Sequence, residues 1–314
     1  MVGNSTRPMP VLTKLPVPSV GPEDVLVAGD GTVYCGTNDG WIYSLDPQTG
    51  AAEALANTGG VVLGFTFLDE NILVVCDAEK GLLELDLVTK KVRVLASEVA
   101  GQPLMFCNNA DVAADGTIYF SNSSTRHGFE NSSRETMENI PTGSLFRRHP
   151  GGPIDTLLNG LHFANGVCLS PDESFVLVAE TAAARIMKYH LTGDKVGQSE
   201  VFVDQLPGLP DNLSRGSDGL IWVAMVTALS KDLQRVQACP LWLRKMIARL
   251  PDFMVPALPP FLRVRAYASD GTCRFDYEGE GRDFDMATGV REKDGRIYLG
   301  SIKESAIAVF EHEA

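Results

Sequence analysis

Six times along the chain a tight polar turn is followed by an apolar strand, a short polar loop and a second strand. The units begin at Asp30 (DGTVYCGTNDGWIYSLDPQTGAAEAL), Glu70 (ENILVVCDAEKGLLELDLVTKKVRVL), Asp115 (DGTIYFSNSS), Glu173 (ESFVLVAETAAARIMKYHL), Asp218 (DGLIWVAMVT) and Asp294 (DGRIYLGSIKESAIAVFE). Asp-Gly supplies the positive φ that a tight hairpin turn demands, and the strands are rich in Val, Ile, Tyr and Phe. Most units go on to a further turn and strand, so each reads as a small antiparallel sheet. Such a sheet repeated about every 40 residues predicts a β-propeller. The expected architecture is all-β: one six-bladed propeller spanning residues 1–314. The sixth unit runs out of chain before its outermost strand, and PVLTKLPVPS near the N-terminus is expected to supply it. The fifth unit is interrupted by LSKDLQRVQACPLWLRKMIARLPDFMVPALPPF, read as a short helical insertion over 229–260. It is expected to act as a lid over the channel; packing on a neighbouring blade and contact with a partner or membrane surface are the other readings.

A second regularity lies inside the first. Seven residues before a turn aspartate stands an oxygen-bearing side chain: Glu23 before Asp30, Asn108 before Asp115, Asn165 before Asp172, Asp211 before Asp218. In a propeller the innermost strand of each blade runs along the central channel, so equivalent positions converge on the axis. The matching places in the other blades, near Leu63–Gly64 and Ala287–Thr288, are apolar or small. Two carboxylates and two amide carbonyls make an all-oxygen set, suited to Ca²⁺ rather than to Zn²⁺, which favours His and Cys. Asp24, Asn109 and Asn212 directly follow three of these residues, as supporting partners or a further ligand. Capping of nearby backbone is the competing explanation for each aspartate or asparagine taken alone.

Composition narrows the partners. The chain of 314 residues carries 27 Lys and Arg against 40 Asp and Glu, a formal charge of -13. Such an acidic chain is a poor binder of nucleic acid or anionic membranes. No run of 18 apolar residues suggests a transmembrane span, and the first 20 residues lack the apolar stretch of a signal peptide, so a cytoplasmic location is expected. The six cysteines are scattered without CxxC pairs and are expected to be unpaired thiols. Cys168 and Ser170 lie near Asn165 without an evident His partner, which argues against a nucleophilic mechanism. His162 is expected to be structural, His127 to sit in a long loop that borders the pocket or projects from it, and His149 to lie in a surface turn. His190 and His312 give no signal.

GPEDVLV, FANGVCLSPDESFVLVAETAAARI and VFVDQLPGLPDNLSRGSDGLIWVAM resemble the strictosidine synthase-like family. Its relatives include the adipocyte plasma membrane-associated protein, the paraoxonases and the SMP-30/gluconolactonase group. The likeness runs from about Pro22 to Phe310. It implies a six-bladed propeller and, from the lactonase members, a catalytic Ca²⁺ held in the channel. By motif match the ligands are Glu23, Asn108, Asn165 and Asp211, with Asn212 as a paraoxonase-like addition. The second, structural calcium of paraoxonases is not expected, because Asn109 stands where they carry an aspartate. Their proposed histidine base has an apolar counterpart in GGVVLGF. The last-blade glutamate of strictosidine synthase falls near Thr288, which argues against amine–aldehyde condensation. The expected function is therefore Ca²⁺-dependent hydrolysis of a lactone or ester. The ion would polarise the carbonyl, and water activated by the ion or oriented by Asp211 would attack. A binding or scaffolding propeller with a structural metal is the alternative from a different class.

Overall fold

A computed structural model describes residues 6–251 and 258–312. Six sheets of four strands follow one another along the chain as blades. Blade 1 consists of Val25–Val27, Val33–Gly36, Trp41–Leu45 and Ala52–Asn57. Blade 2 begins at Val62–Asp69, blade 3 at Cys107–Val112, blade 4 at Ala164–Leu169, blade 5 at Gly208–Arg215 and blade 6 at Ala287–Lys293. These first strands are the innermost, and each contacts the first strand of the next blade, so six strands close around an axis. The predicted six-bladed propeller is the observed fold.

The turn aspartates behave as the sequence predicts. Asp30, Asp115, Asp172 and Asp218 each accept a backbone N–H two residues on, at 2.8 to 3.1 Å. Those bonds tie the inner strand to the second strand at the end of the channel remote from Glu23, Asn108, Asn165 and Asp211.

Closure uses the N-terminal segment. Thr13–Pro16 pairs antiparallel with Ala306–Glu311 and completes blade 6 as its outer strand. Leu15, alone buried in that strand, enters a cluster with Val25, Tyr298 and Ile307 that spans the junction of blades 6 and 1. Arg7–Pro8 adds a fifth strand to blade 5, parallel to Cys273–Gly279, which the repeat pattern does not foretell. The apolar core lies mainly between successive blades, as clusters that join each sheet to its neighbour.

Among the described residues three short α-helices decorate one end of the channel. Helix α1, Ser132–Glu138, lies in the loop between the second and third strands of blade 3. Helices α2, Lys231–Gln237, and α3, Leu241–Ile247, form the insertion in blade 5; residues 252–257 of that insertion lie outside the described residues. The Ser230 hydroxyl caps α2 by accepting the Leu233 N–H. All six cysteines are unpaired; Cys35, Cys76, Cys107 and Cys168 are buried. Among the described residues no helix is long and apolar enough to cross a membrane.

Candidate metal centre in the channel

Five of the six inner strands break register at the same place. The ladder to the second strand is interrupted between Val62 and Phe65, Cys107 and Ala110, Ala164 and Val167, Pro210 and Leu213, and Ala287 and Val290. The two unpaired residues inside each break are Leu63–Gly64, Asn108–Asn109, Asn165–Gly166, Asp211–Asn212 and Thr288–Gly289. In blade 1 the pair Glu23–Asp24 directly precedes the strand. A bulge re-aims side chains away from the regular pleat, here at one level of five blades, with Glu23–Asp24 at the matching place in blade 1.

The second member of each pair alternates around the ring: Asp24, Gly64, Asn109, Gly166, Asn212, Gly289. Each glycine receives the pair of the following blade. A Cβ on Gly166 would stand 2.4 Å from the Leu213 nitrogen and 2.5 Å from the Asp211 carbonyl oxygen. One on Gly289 would lie 2.8 Å from both Asp24 Cα and the Glu23 carbonyl oxygen. Only glycine permits so close an approach of two backbones. The alternation is visible in the sequence once the seven-residue register is set, although the register alone does not reveal it.

Four of the first members, with Asn212, carry the chemistry. Glu23, Asn108, Asn165, Asp211 and Asn212 are all buried, none more than 6% exposed. Asn212 donates Nδ2 to Glu23 Oε2 at 3.0 Å, and Asn108 donates Nδ2 to Ser123 Oγ at 3.0 Å. Asp211 lies against both Asn165 and Glu23. With their nitrogens engaged, Asn108 and Asn212 keep Oδ1 without a hydrogen-bond partner, as do Asn165 Oδ1 and Asp211 Oδ1. Buried oxygens normally find a donor, and four orphans at one level of one channel call for an electropositive occupant.

The acids say the same. Burial, then the neighbouring charges of Asp211 and Asp24, push the Glu23 carboxyl well above its ordinary range. Burial pushes Asp211 up to about 7, against the opposing hydrogen bond from Asn165. Burial also raises Asp24, partly offset by Arg291. Three carboxyl groups crowded in a dry site disfavour their own charge, and a divalent cation would relieve that. Among the described residues no three His, Cys, Asp or Glu side chains converge as metal ligands; half of the predicted four-member ring is amide oxygen.

Asp24 and Asn109 take a different part. Asp24 accepts the Val25 N–H at 2.8 Å and the Asn109 Nδ2 at 3.3 Å, and Asn109 Oδ1 accepts the Val167 N–H at 3.0 Å. Their polar atoms stitch blades 1, 3 and 4 together. Against the ring lies an apolar cluster of Val61, Leu63, Phe106 and Phe163, with Phe129 packed on it. Phe106 and Phe163, two residues before Asn108 and Asn165, pack with ring centroids 5.4 Å apart and planes tilted by 57°.

Other sequence candidates sit elsewhere. His162 bonds Asn139 Oδ1 through Nδ1 at 2.5 Å, the structural role expected of it. His127 lies beside Glu138, 3.5 Å away, in the loop that carries α1. His149 pairs with Asp155 at the surface. His312, silent in the sequence, is buried against Trp222 and Phe275 and bonds the Tyr277 hydroxyl at 2.9 Å. Cys168 is fully buried and its thiol is pushed far up by burial, as befits a core residue rather than a nucleophile.

The fold and the sequence agree with known proteins. The SMP-30/gluconolactonase/LRE-like region matches over residues 33–238, and the strictosidine synthase-like N-terminal region over 12–45. The adipocyte plasma membrane-associated protein of Danio rerio is 34% identical over 90% of this chain and 74% of its own length. The chain belongs to the SMP-30/gluconolactonase/LRE-like family. Strictosidine synthase-like 6 of Arabidopsis thaliana is 35% identical over 67% of this chain and 57% of its own length. Among solved structures, a gluconolactonase from Xanthomonas campestris superposes with a TM-score of 0.69 at 16% identity, covering 96% of this chain and 89% of its own. The calcium-binding protein regucalcin from Agrobacterium tumefaciens does so at 0.69 and 15%, covering 98% and 95%. At those identities the structural likeness shows the propeller that this member of the family shares with them.

Proposed function

We propose that the chain is a Ca²⁺-dependent hydrolase of a lactone or ester, with Glu23, Asn108, Asn165, Asp211 and Asn212 as the ligands of one channel ion. The observation that carries this reading is the set of four buried, partnerless oxygens on Asn108, Asn165, Asp211 and Asn212 beside the Glu23 carboxylate. All donors are oxygen, two are acidic, and the amides can shift by small rotations, which suits Ca²⁺ better than the strict octahedron of Mg²⁺. The relatives include proteins named gluconolactonase and calcium-binding protein, which supports the reading.

When bound, the ion supplies Lewis-acid polarisation of the substrate carbonyl and stabilises developing negative charge. The chain's own residues do the rest. Asn212 holds Glu23 by its Oε2. Asp211, beside both Asn165 and Glu23, is placed to orient the attacking water. The apolar layer of Phe106 and Phe163 beside the ring would exclude bulk water. Water adds to the carbonyl carbon, the carbon–oxygen bond of the lactone or ester breaks, and the alcohol oxygen leaves with a proton.

A second reading has an observation in its favour: the proposed ligands are almost fully buried, as a structural ion's would be. The ion would then only fasten the blades of a binding propeller. Condensation chemistry is disfavoured, because Thr288 donates its hydroxyl to the Glu23 carbonyl at 2.6 Å and offers no carboxylate. Hydrolysis of lactones and aryl esters by the chelator-stripped chain decides between the first two. Activity is expected to vanish without Ca²⁺ and return with it. Asp211→Ala is expected to lower turnover by about 10²-fold or more, and Cys168→Ala to leave it near wild type. A folded, metal-free Asp211→Ala chain with wild-type turnover would defeat the hydrolase reading and leave the binding propeller.

A further inference from the structure

Four hydroxyl groups at the level of the ring are buried, none more than 3% exposed, and each bonds a backbone carbonyl of the following blade. Thr288 Oγ1 in blade 6 donates to the Glu23 carbonyl at 2.6 Å. Ser121 Oγ in blade 3 donates to the Asn165 carbonyl at 2.6 Å, and Ser123 Oγ to the Ala164 carbonyl at 2.8 Å. Thr181 Oγ1, just beyond blade 4, donates to the Pro210 carbonyl at 2.7 Å, one residue before Asp211. The acceptors are ligand-bearing segments in every case. These segments lie inside or beside register breaks, where the strand ladder does not fix them.

Ser123 adds a constraint on side-chain orientation. A serine hydroxyl has one hydrogen, and here it goes to the Ala164 carbonyl. Toward Asn108 the same oxygen can therefore only accept. The Asn108 amide must present its nitrogen to Ser123, and its Oδ1 is left facing away without a partner. A single hydroxyl thus sets which end of the amide the ring receives.

We infer that Thr288, Ser121, Ser123 and Thr181 form a hydroxyl belt that presets the proposed cation ligands, acting as positioning residues rather than catalytic ones. Thr288 holds Glu23, Ser123 orients Asn108, Ser121 holds Asn165, and Thr181 holds the segment of Asp211. The inference rests on the ion-binding part of the function proposed above. Partners that orient metal ligands typically change affinity 10- to 100-fold when removed.

Calorimetric Ca²⁺ titration of the chelator-stripped, folded chain tests it without any assay of activity. Ser123→Ala and Thr288→Val are each expected to weaken Ca²⁺ binding by about 10-fold or more, with unchanged far-ultraviolet circular dichroism. Thr288→Ser, which keeps the hydroxyl, is expected to stay within about threefold of wild type. A merely structural belt would lower the melting temperature in chelator while leaving the affinity of folded protein unmoved, and that result would overturn the inference. If Thr288→Val does not fold, Thr181→Val applies the same test to Asp211. A wild-type chain that takes up no Ca²⁺ would overturn the ion reading and the belt's role with it. Normal wild-type binding with unaltered variants would overturn the belt alone.

Discussion

Glu23, Asn108, Asn165 and Asp211 differ in chemistry yet share one backbone circumstance: each stands at the irregular start of an inner strand. For Glu23, Asn108 and Asp211 the irregularity is possible because a glycine of the preceding blade, Gly289, Gly64 or Gly166, yields the space. Gly166→Ala is accordingly expected to cost about 2–4 kcal/mol in urea unfolding of the metal-free chain, because its Cβ would meet backbone rather than a movable side chain. Gly29→Ala, with nothing within 4 Å of the added carbon, is expected to stay within about 0.5 kcal/mol. Equal effects at the two sites would contradict the close-packing account. The ring residues were legible in the sequence because their distance to a turn aspartate is fixed by strand length. Thr288 and Ser121 were not legible as positioning residues. Their part depends on which carbonyl of the next blade lies opposite, and that is set by packing between sheets rather than by any periodicity along one.

At the scale of elements, the inner strands and turns follow from hydrophobic pattern and Asp-Gly chemistry, whereas the helices at the channel end depend on tertiary anchors. Gln237 of α2 donates Nε2 to the Thr136 carbonyl of α1 and to the Ala182 carbonyl, both at 3.0 Å. Arg244 of α3 reaches the Glu138 carbonyl at 2.5 Å and the Asn139 carbonyl at 3.3 Å. Neither α2 nor α3 has a fully buried residue, and these polar latches share the docking with Leu233 of α2, half-buried against the apolar cluster of Leu206, Leu209 and Phe261. Helical spacing announces such helices but not what they grip. Their anchor α1 sits in the loop after Asn122, at the same end as Asn108, whose Nδ2 bonds Ser123 in that loop. We propose that the insertion is a lid over the ring. Gln237→Ala with Arg244→Ala is expected to speed proteolytic cleavage of the insertion and to change KM for the ester about 3- to 10-fold, with Ca²⁺ affinity unchanged. Loss of Ca²⁺ affinity as large as the change in KM would mean that the helices support the ring itself rather than cover it.

For the whole molecule, six sheets converge their irregular strand starts on one axis, and the N-terminal strand at Thr13–Pro16 locks the circle. That convergence brings Glu23, near one end of the chain, against Asn212, 189 residues later. The carboxyls of Glu23, Asp24 and Asp211 repel one another across blades 1 and 5 when no cation is present. An ion that binds only the closed ring must therefore stabilise the propeller as a whole, by about 2.7 kcal/mol at a hundredfold excess over its Kd. The most direct measurement is a calorimetric Ca²⁺ titration of the chelator-stripped chain, paired with thermal unfolding of the same samples. One Ca²⁺ per chain with a raised melting temperature is expected for wild type, and neither for the Glu23→Gln, Asp211→Asn double variant. Ca²⁺ uptake that survives intact in the folded double variant, or no uptake by wild type, would contradict the ring as the metal centre.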